Sequence, residues 1–229
     1  MRQALALAER GLGRVAPNPL VGCVLVKDGT IVGQGYHRRY GGRHAEVEAL
    51  AAAGQKACGA TMYVTLQPCN HVGKTPPCTD AIIAAGVKRV VFATCDPNPG
   101  SDCKRGTDKL VDSGIEVSVG ICRDEAERLN DIYFHRLRTS RPFVALKLAA
   151  TLDGKIADFQ GRSQWITSDE ARQEVHRLRS AYDAILVGSR TVETDDPRLT
   201  SRVPGCRSPV RLVLDADLSL SPRAQVLRG

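Results

Sequence analysis

The chain has 229 residues, 42% of them hydrophobic, 4% aromatic and 25% charged, with a formal net charge of +7. That length sustains one or two cores, with two domains as the prior, and the shortage of aromatics leaves the interior to Ala, Val, Leu and Ile. No stretch of about 18 apolar residues offers a membrane span. The charge excess is spread evenly, 18 basic against 14 acidic side chains over residues 1–140 and 14 against 11 over 141–229. It lacks the basic stripe with stacking aromatics that single-stranded nucleic acid requires.

In chain order, MRQALALAERGLG reads as a short amphipathic helix to about Leu12, too polar for a secretory signal. The apolar runs of LVGCVLVKDGTIVGQGY flank Asp28-Gly29, a strong hairpin signal. An alanine-rich helix with His44 in its first turn follows, stopped at Gly54. Next come the strand ATMYVTL, a cysteine-bearing loop, and a helix running to Gly86 with Pro77 just ahead of Cys78. The strand VKRVVFA, a Pro-Gly-rich loop, a short helix before Gly114 and the strand IEVSVG complete the first region. The order ββαβαβαβ predicts an α/β mixed sheet with helices on both faces. Functional loops in such sheets gather where helix starts meet strand ends.

CRDEAERLNDIYFHRLRTSRP reads as one long connecting helix ending before Pro142. Beyond it, PFVALKLAATLDG predicts a fresh strand, SDEARQEVHRLRSAYD a helix capped by Ser168, and AILVG and VRLVLD two more strands. The domain boundaries are therefore set at 1–140 and 141–229. His135 and His176 lie on charged helical stretches and are assigned to the surface.

Chemistry concentrates in four residues. His44, Cys69 and Cys78 offer one imidazole and two thiolates, a three-ligand zinc set that leaves a coordination position for water, as catalytic sites do. Zinc lowers the pKa of water from about 16 to about 7. Glu46, two residues from the histidine, is placed as the base that carries the proton and not as a ligand. A His-x-Glu followed by Pro-Cys-x-x-Cys is the general deaminase signature, but here eight residues separate the two cysteines. The six other cysteines, at 23, 58, 95, 103, 122 and 206, lack paired spacing. Cys23 and Cys95 are expected as buried thiols in a reducing, cytoplasmic compartment.

That longer spacing, filled by NHVGKTPP, resembles one branch of the cytidine-deaminase superfamily, the riboflavin-biosynthesis deaminases fused to a reductase. The similarity runs through APNPLVG, GYHRRYGGRHAE, TLQPCNHVGKTPPC and DPNP, and then through LKLAATLDGKIA, SQWIT and DDPRLTSR. It implies a three-layer αβα cytidine-deaminase-like domain followed by part of a dihydrofolate-reductase-like α/β domain. It further implies zinc-dependent removal of an exocyclic amine from a ribosylated diaminopyrimidinone phosphate, with NADPH serving the second half. By the same resemblance Asn18 and His37 bind the pyrimidine side, His71 and Lys74 contribute to substrate recognition, and Asp96 and Asn98 face the ribose phosphate. In the second half Ala149, Trp165, Thr191 and Asp195 match positions contacting NADPH. Ser163, Arg179, Leu199 and Arg202 match positions lining the ribosyl phosphate. A homo-oligomer acting on a phosphorylated pyrimidine, without nucleic acid or membrane, is expected.

Three departures from the family pattern stand out. Gln67 replaces a glutamate before Pro-Cys, removing a charge near the metal. The loop GSDCKRG lacks the first of two glycines. The family's reductase half runs on for roughly a hundred further residues, whereas this chain stops at Gly229, so a fragment or a non-functional reductase half is expected. Two other readings remain on the sequence alone: a nucleoside or RNA-base deaminase, and a non-catalytic module with structural zinc and a nucleotide site.

Overall fold

The computed structural model describes residues 1–73 and 75–228. The chain divides into two compact units, Met1–Phe143 and Val144–Gly229.

The first unit is built on a five-stranded sheet in the order β2-β1-β3-β4-β5. Its strands are β1 (Gly22–Lys27), β2 (Thr30–Tyr36), β3 (Thr61–Val64), β4 (Arg89–Phe92) and β5 (Glu116–Val119). β1 pairs antiparallel with β2 and β3, while β3, β4 and β5 run parallel, so the sheet is mixed. Asp28 and Gly29 make the hairpin with φ of 49° and 74°, the left-handed pair that a two-residue turn matched to strand twist demands.

The helices are α1 (Arg2–Glu9), α2 (Ala45–Ala53), α3 (Cys78–Ala84), α4 (Cys103–Asp112), α5 (Arg123–Leu129) and α6 (Asp131–Thr139). Alternation along β1 sorts them into two layers. Cys23 and Leu25 join Ala45, Ala49, Met62, Val64, Ile82, Val90, Phe92 and Leu110 in the main core. Val24 and Val26 pack with Ala4 and Leu7 of α1 on the other face.

Glycine and alanine explain how close α2 lies. A Cβ at Gly35 would fall 2.6 Å from the backbone of Ala45 and Ala49, and one at Gly33 would fall 2.4 Å from the Ala49 carbonyl. The bare strand β2 therefore accepts the helix backbone directly, which fixes the depth of the helix start that carries His44.

Two sequence expectations are corrected in this region. The connector is two helices, broken at Asn130 (φ −114°, ψ 26°), because the Asn130 side chain leaves the helix pattern to pair with Leu20. Cys95 is not a free thiol, since it is disulfide-bonded to Cys103. Spacing could not show this, because the start of α4 folds back over the end of β4 and brings two unpatterned cysteines together.

In the second unit, α7 (Asp169–Ala181) begins at Ser168, whose hydroxyl accepts from the Ala171 N–H, the predicted cap. The strands β6 (Ala184–Gly188) and β7 (Val210–Leu214) pair in parallel, with α8 (Ser189–Asp195) between them in sequence. The strand expected at PFVALKLAATLDG is absent: residues 142–150 form neither helix nor strand. Val144, Leu146 and Leu148 are 85%, 83% and 69% exposed. An extended segment becomes a strand only when a neighbour takes up its N–H and C=O groups, and none does so among the described residues. No described helix is long and apolar enough to cross a membrane.

Candidate metal centre and substrate cavity

The functional side chains sit at the starts of α2 and α3 and at the carboxyl ends of β3 and β4. His44 is the N-cap of α2, one position ahead of the first turn assigned from sequence, with extended backbone (φ −72°, ψ 160°). Cys78 opens α3 behind Pro77. Cys69 lies on the loop leaving β3, and its carbonyl accepts from the Thr79 N–H at 3.1 Å.

These elements bring three donors together. His44 Nδ1 is 3.2 Å from Cys78 Sγ and 3.5 Å from Cys69 Sγ, and all three ligand atoms lie within 4.8 Å of one another. A tetrahedral zinc with bonds of about 2.1 Å to nitrogen and 2.3 Å to sulfur separates such atoms by about 3.5–3.8 Å. The donor set therefore fits that ion with little adjustment. Among the described residues the converging group holds these three side chains, one fewer than a closed tetrahedral site needs.

The charges are those of a site prepared for a cation. A hydrogen bond from the Cys78 thiol holds Cys69 down to about 4, and the same shared proton pushes Cys78 well up, with burial adding to it. His44 is raised, chiefly by its bond to Cys69. A metal replaces such protons. Glu46, in the first turn of α2, is only 3% exposed. Burial pushes its carboxyl up to about 7, the Cys69 thiolate adds to the rise, and His44 opposes it. A carboxylic acid titrating near neutrality matches the requirement of a general base.

A cavity of about 250 Å³ opens beside this group, lined by Glu46, His44 and Cys69 together with Asn18, His37, His71, Asp96 and Asn98. The five expected substrate residues that the structure describes thus share one wall system. The sixth, Lys74, lies outside the described residues.

Burial lowers the pKa of His37, favouring the neutral ring. Its Nδ1 is 3.0 Å from the Arg43 carbonyl and its Nε2 is 3.1 Å from Asn18 Nδ2. A carbonyl can only accept, so Nδ1 carries the proton and Nε2 accepts from the Asn18 amide. Asn18 is thereby oriented through its nitrogen, and its oxygen keeps acceptor capacity for a ligand N–H.

Gln67 does more than remove a charge. Its Oε1 accepts from the Asp96 N–H at 3.3 Å and its Nε2 donates to the Asp102 carbonyl at 3.1 Å. The loop between those residues is closed at its base by this amide and, one residue further out on each side, by the Cys95–Cys103 disulfide. The altered loop after DPNP is therefore a stapled wall leading into α4, whose N-cap Asp102 accepts from the Arg105 N–H at 3.0 Å.

Sequence reasoning missed three contributors. Tyr133 lines the cavity and donates to Asp96 Oδ1 at 2.9 Å. Burial and the neighbouring Asp96 raise its pKa, keeping the phenol protonated. Asn130 ties down the loop before β1, and Thr75 reaches His44 Nε2 at 3.5 Å. Tyr133 and Asn130 lie in the charged connector, more than thirty residues from their partners, where no local pattern marks them.

The second unit has its own cavity of about 840 Å³. Ala149, Trp165 and Asp195 line it, as do Ser163, Arg179, Leu199 and Arg202. Thr191 is not among the lining residues and is exposed on α8. His176, assigned to the surface from sequence, is half-buried on the same cavity. The Arg172 guanidinium stacks over Trp165, 4.4 Å from the ring centroid.

Comparison with known proteins agrees across both units. A family model described as the cytidine and deoxycytidylate deaminase zinc-binding region matches residues 1–94, and one described as the RibD C-terminal domain matches residues 142–229. The riboflavin biosynthesis protein RibD of Aquifex aeolicus is 54% identical over 99% of this chain and 64% of its own length. That of Escherichia coli is 50% identical over the whole chain and 65% of its own length. The crystal structure of a Thermotoga maritima diaminohydroxyphosphoribosylaminopyrimidine deaminase/5-amino-6-(5-phosphoribosylamino)uracil reductase superposes with a TM-score of 0.91 at 50% identity. That match covers 99% of this chain and 65% of the solved one. The chain spans just under two thirds of the length of these relatives. With a deaminase zinc-binding region in the first unit and a RibD C-terminal match in the second, the chain belongs to the RibD family of riboflavin biosynthesis proteins.

Proposed function

We propose that the first unit is a zinc-dependent deaminase that converts the amine-bearing carbon of a diaminohydroxyphosphoribosylaminopyrimidine to a carbonyl, consuming water and releasing ammonia. The observation that carries this reading is the convergence of His44, Cys69 and Cys78 beside a buried Glu46 on one small cavity.

When bound by His44, Cys69 and Cys78, zinc would supply Lewis acidity and water acidified to a pKa of about 7. The remaining work belongs to the protein. Glu46 takes the proton lost by the attacking water and delivers it to the ring nitrogen. It then takes the remaining hydroxyl proton from the attacked carbon and passes it to the amine, so that the C–N bond breaks, ammonia leaves and the carbonyl forms. Its elevated pKa suits both accepting and donating near neutrality. Asn18, oriented by His37, accepts from the pyrimidine edge. His71, Asp96 and Asn98 meet the remainder of the substrate, with Lys74 assigned to the same role.

The test is incubation of zinc-loaded protein with the pyrimidine phosphate, read by mass spectrometry. Replacing an amine by an oxygen adds about one mass unit, and a further gain of about two reports hydride transfer with a proton. Ammonia release from cytidine or RNA, with none from the pyrimidine phosphate, would overturn the substrate assignment. Zinc-loaded protein inert on every amine would favour a binding module.

For the second unit, the cavity bearing Ala149, Trp165 and Asp195 supports a nicotinamide site, and Ser163, Arg179, Leu199 and Arg202 on its lining support a phosphosugar site. NADPH titration of the intrinsic fluorescence of Trp165 tests that reading. We further propose a homo-oligomer in the cytoplasm, for which sedimentation and cell fractionation are the measurements.

A further inference from the structure

Asn130 sits at the break between α5 and α6 and is 5% exposed. Its amide makes both bonds that a neighbouring strand would make with one residue: Oδ1 accepts from the Leu20 N–H at 2.7 Å, and Nδ2 donates to the Leu20 carbonyl at 2.9 Å. The same Nδ2 reaches the Ala126 carbonyl at 3.4 Å. A side chain distant in sequence thus closes the backbone of the segment that carries Asn18, two residues earlier. That segment is otherwise short of regular pairing, since residues 17–20 belong to no helix or strand. Asn18 is also held by its own N–H to Val15 and by its side chain to His37. Asn18 lines the same cavity as Glu46, and the Leu20 bonds anchor its segment on the side that leads into β1.

Resting on the deaminase reading above, we propose that Asn130 is a positioning residue for substrate binding, acting through Leu20 on the Asn18 side chain. A carboxylate in its place keeps shape and acceptor but cannot donate to the Leu20 carbonyl, and it opposes that oxygen with charge. The wall should then loosen without touching the metal donors. Because Asn18 binds substrate rather than reacting, the loss should appear in KM and leave turnover largely intact.

The experiment compares wild type, N130D, N130A, N18A and N18A/N130D, all zinc-loaded and checked for zinc content and thermal unfolding. For N130D the expected result is KM raised about tenfold, the size of one hydrogen bond lost, with kcat within about twofold. In the N18A background the same change should add almost nothing to KM, because its path of action is gone. The Asn18 side-chain amide resonances in ¹⁵N spectra should move in N130D, and Leu20 amide exchange should accelerate. If N130D fails to fold, N130A, which adds no buried charge, carries the same readings. Unmoved Asn18 resonances, a KM change that simply adds to that of N18A, or a lowered melting temperature with normal KM would overturn the proposal. If wild type releases no ammonia while the Asn18 resonances still respond, the deaminase reading fails and the positioning role stands.

Discussion

Glu46→Gln separates what the buried carboxyl does for the reaction from what it does to the fold. Glu46 titrates near 7 in the folded protein against an ordinary 4.5, so the folded site favours the protonated form. Below pH 4.5 the group is neutral in both states and its burial costs little. As pH rises toward 7 the unfolded chain ionises while the folded site resists, and stability is lost until the folded group ionises too. A shift of about 2.5 units corresponds to about 3 kcal/mol at full ionisation. Glutamine keeps the size and has no charge to bury. With zinc removed by a chelator, the variant should therefore match wild type near pH 4.5 and exceed its stability by up to about 3 kcal/mol at pH 8. Urea unfolding across that range measures the difference. Zinc-loaded Glu46→Gln should retain its metal and lose ammonia release, by a factor of at least about a hundred for a general base. Equal stability of the two proteins at pH 8 would refute the desolvation argument, and retained turnover would refute the assigned role.

Replacing His44, Cys69 or Cys78 by alanine should abolish tight zinc binding, measured by metal analysis after dialysis. Because Cys78 and His44 are both raised, zinc uptake should release protons and weaken as pH falls, which calorimetry in buffers of different ionisation heat will show. Gln67→Leu removes both bonds at the base of the 96–102 loop and should cost about 1–2 kcal/mol together with a raised KM, read from urea unfolding and steady-state kinetics. Cys103→Ser opens an eight-residue separation. In non-reducing buffer it should lower stability by about 2.5 kcal/mol on the chain-entropy estimate, a difference that dithiothreitol should erase.

Much of the first unit was legible because its signals are local. The hairpin at Asp28-Gly29, the stop at Gly54, the Pro77-Cys78 helix start and the period-two strands each follow from the conformational preferences of adjacent residues, and all appear in the fold. The donor set was legible for a different reason: thiolates, an imidazole and an adjacent carboxylate are chemically distinctive even before their convergence is known. The strand expected at residues 142–150 illustrates the limit of such signals. Its apolar alternation states what could pair but supplies no partner.

The chain's own order thus determined which residues carry chemistry and which local shapes hold them, since propensity and ligand chemistry reside in single side chains and near neighbours. Only the tertiary structure decided that Cys95 meets Cys103, that Gln67 spans a loop, that Asn130 pairs with Leu20 and that Tyr133 meets Asp96. Those contacts join residues across separate elements. Their geometry comes from the helices packing on the sheet, a property of the whole core that no window of sequence contains.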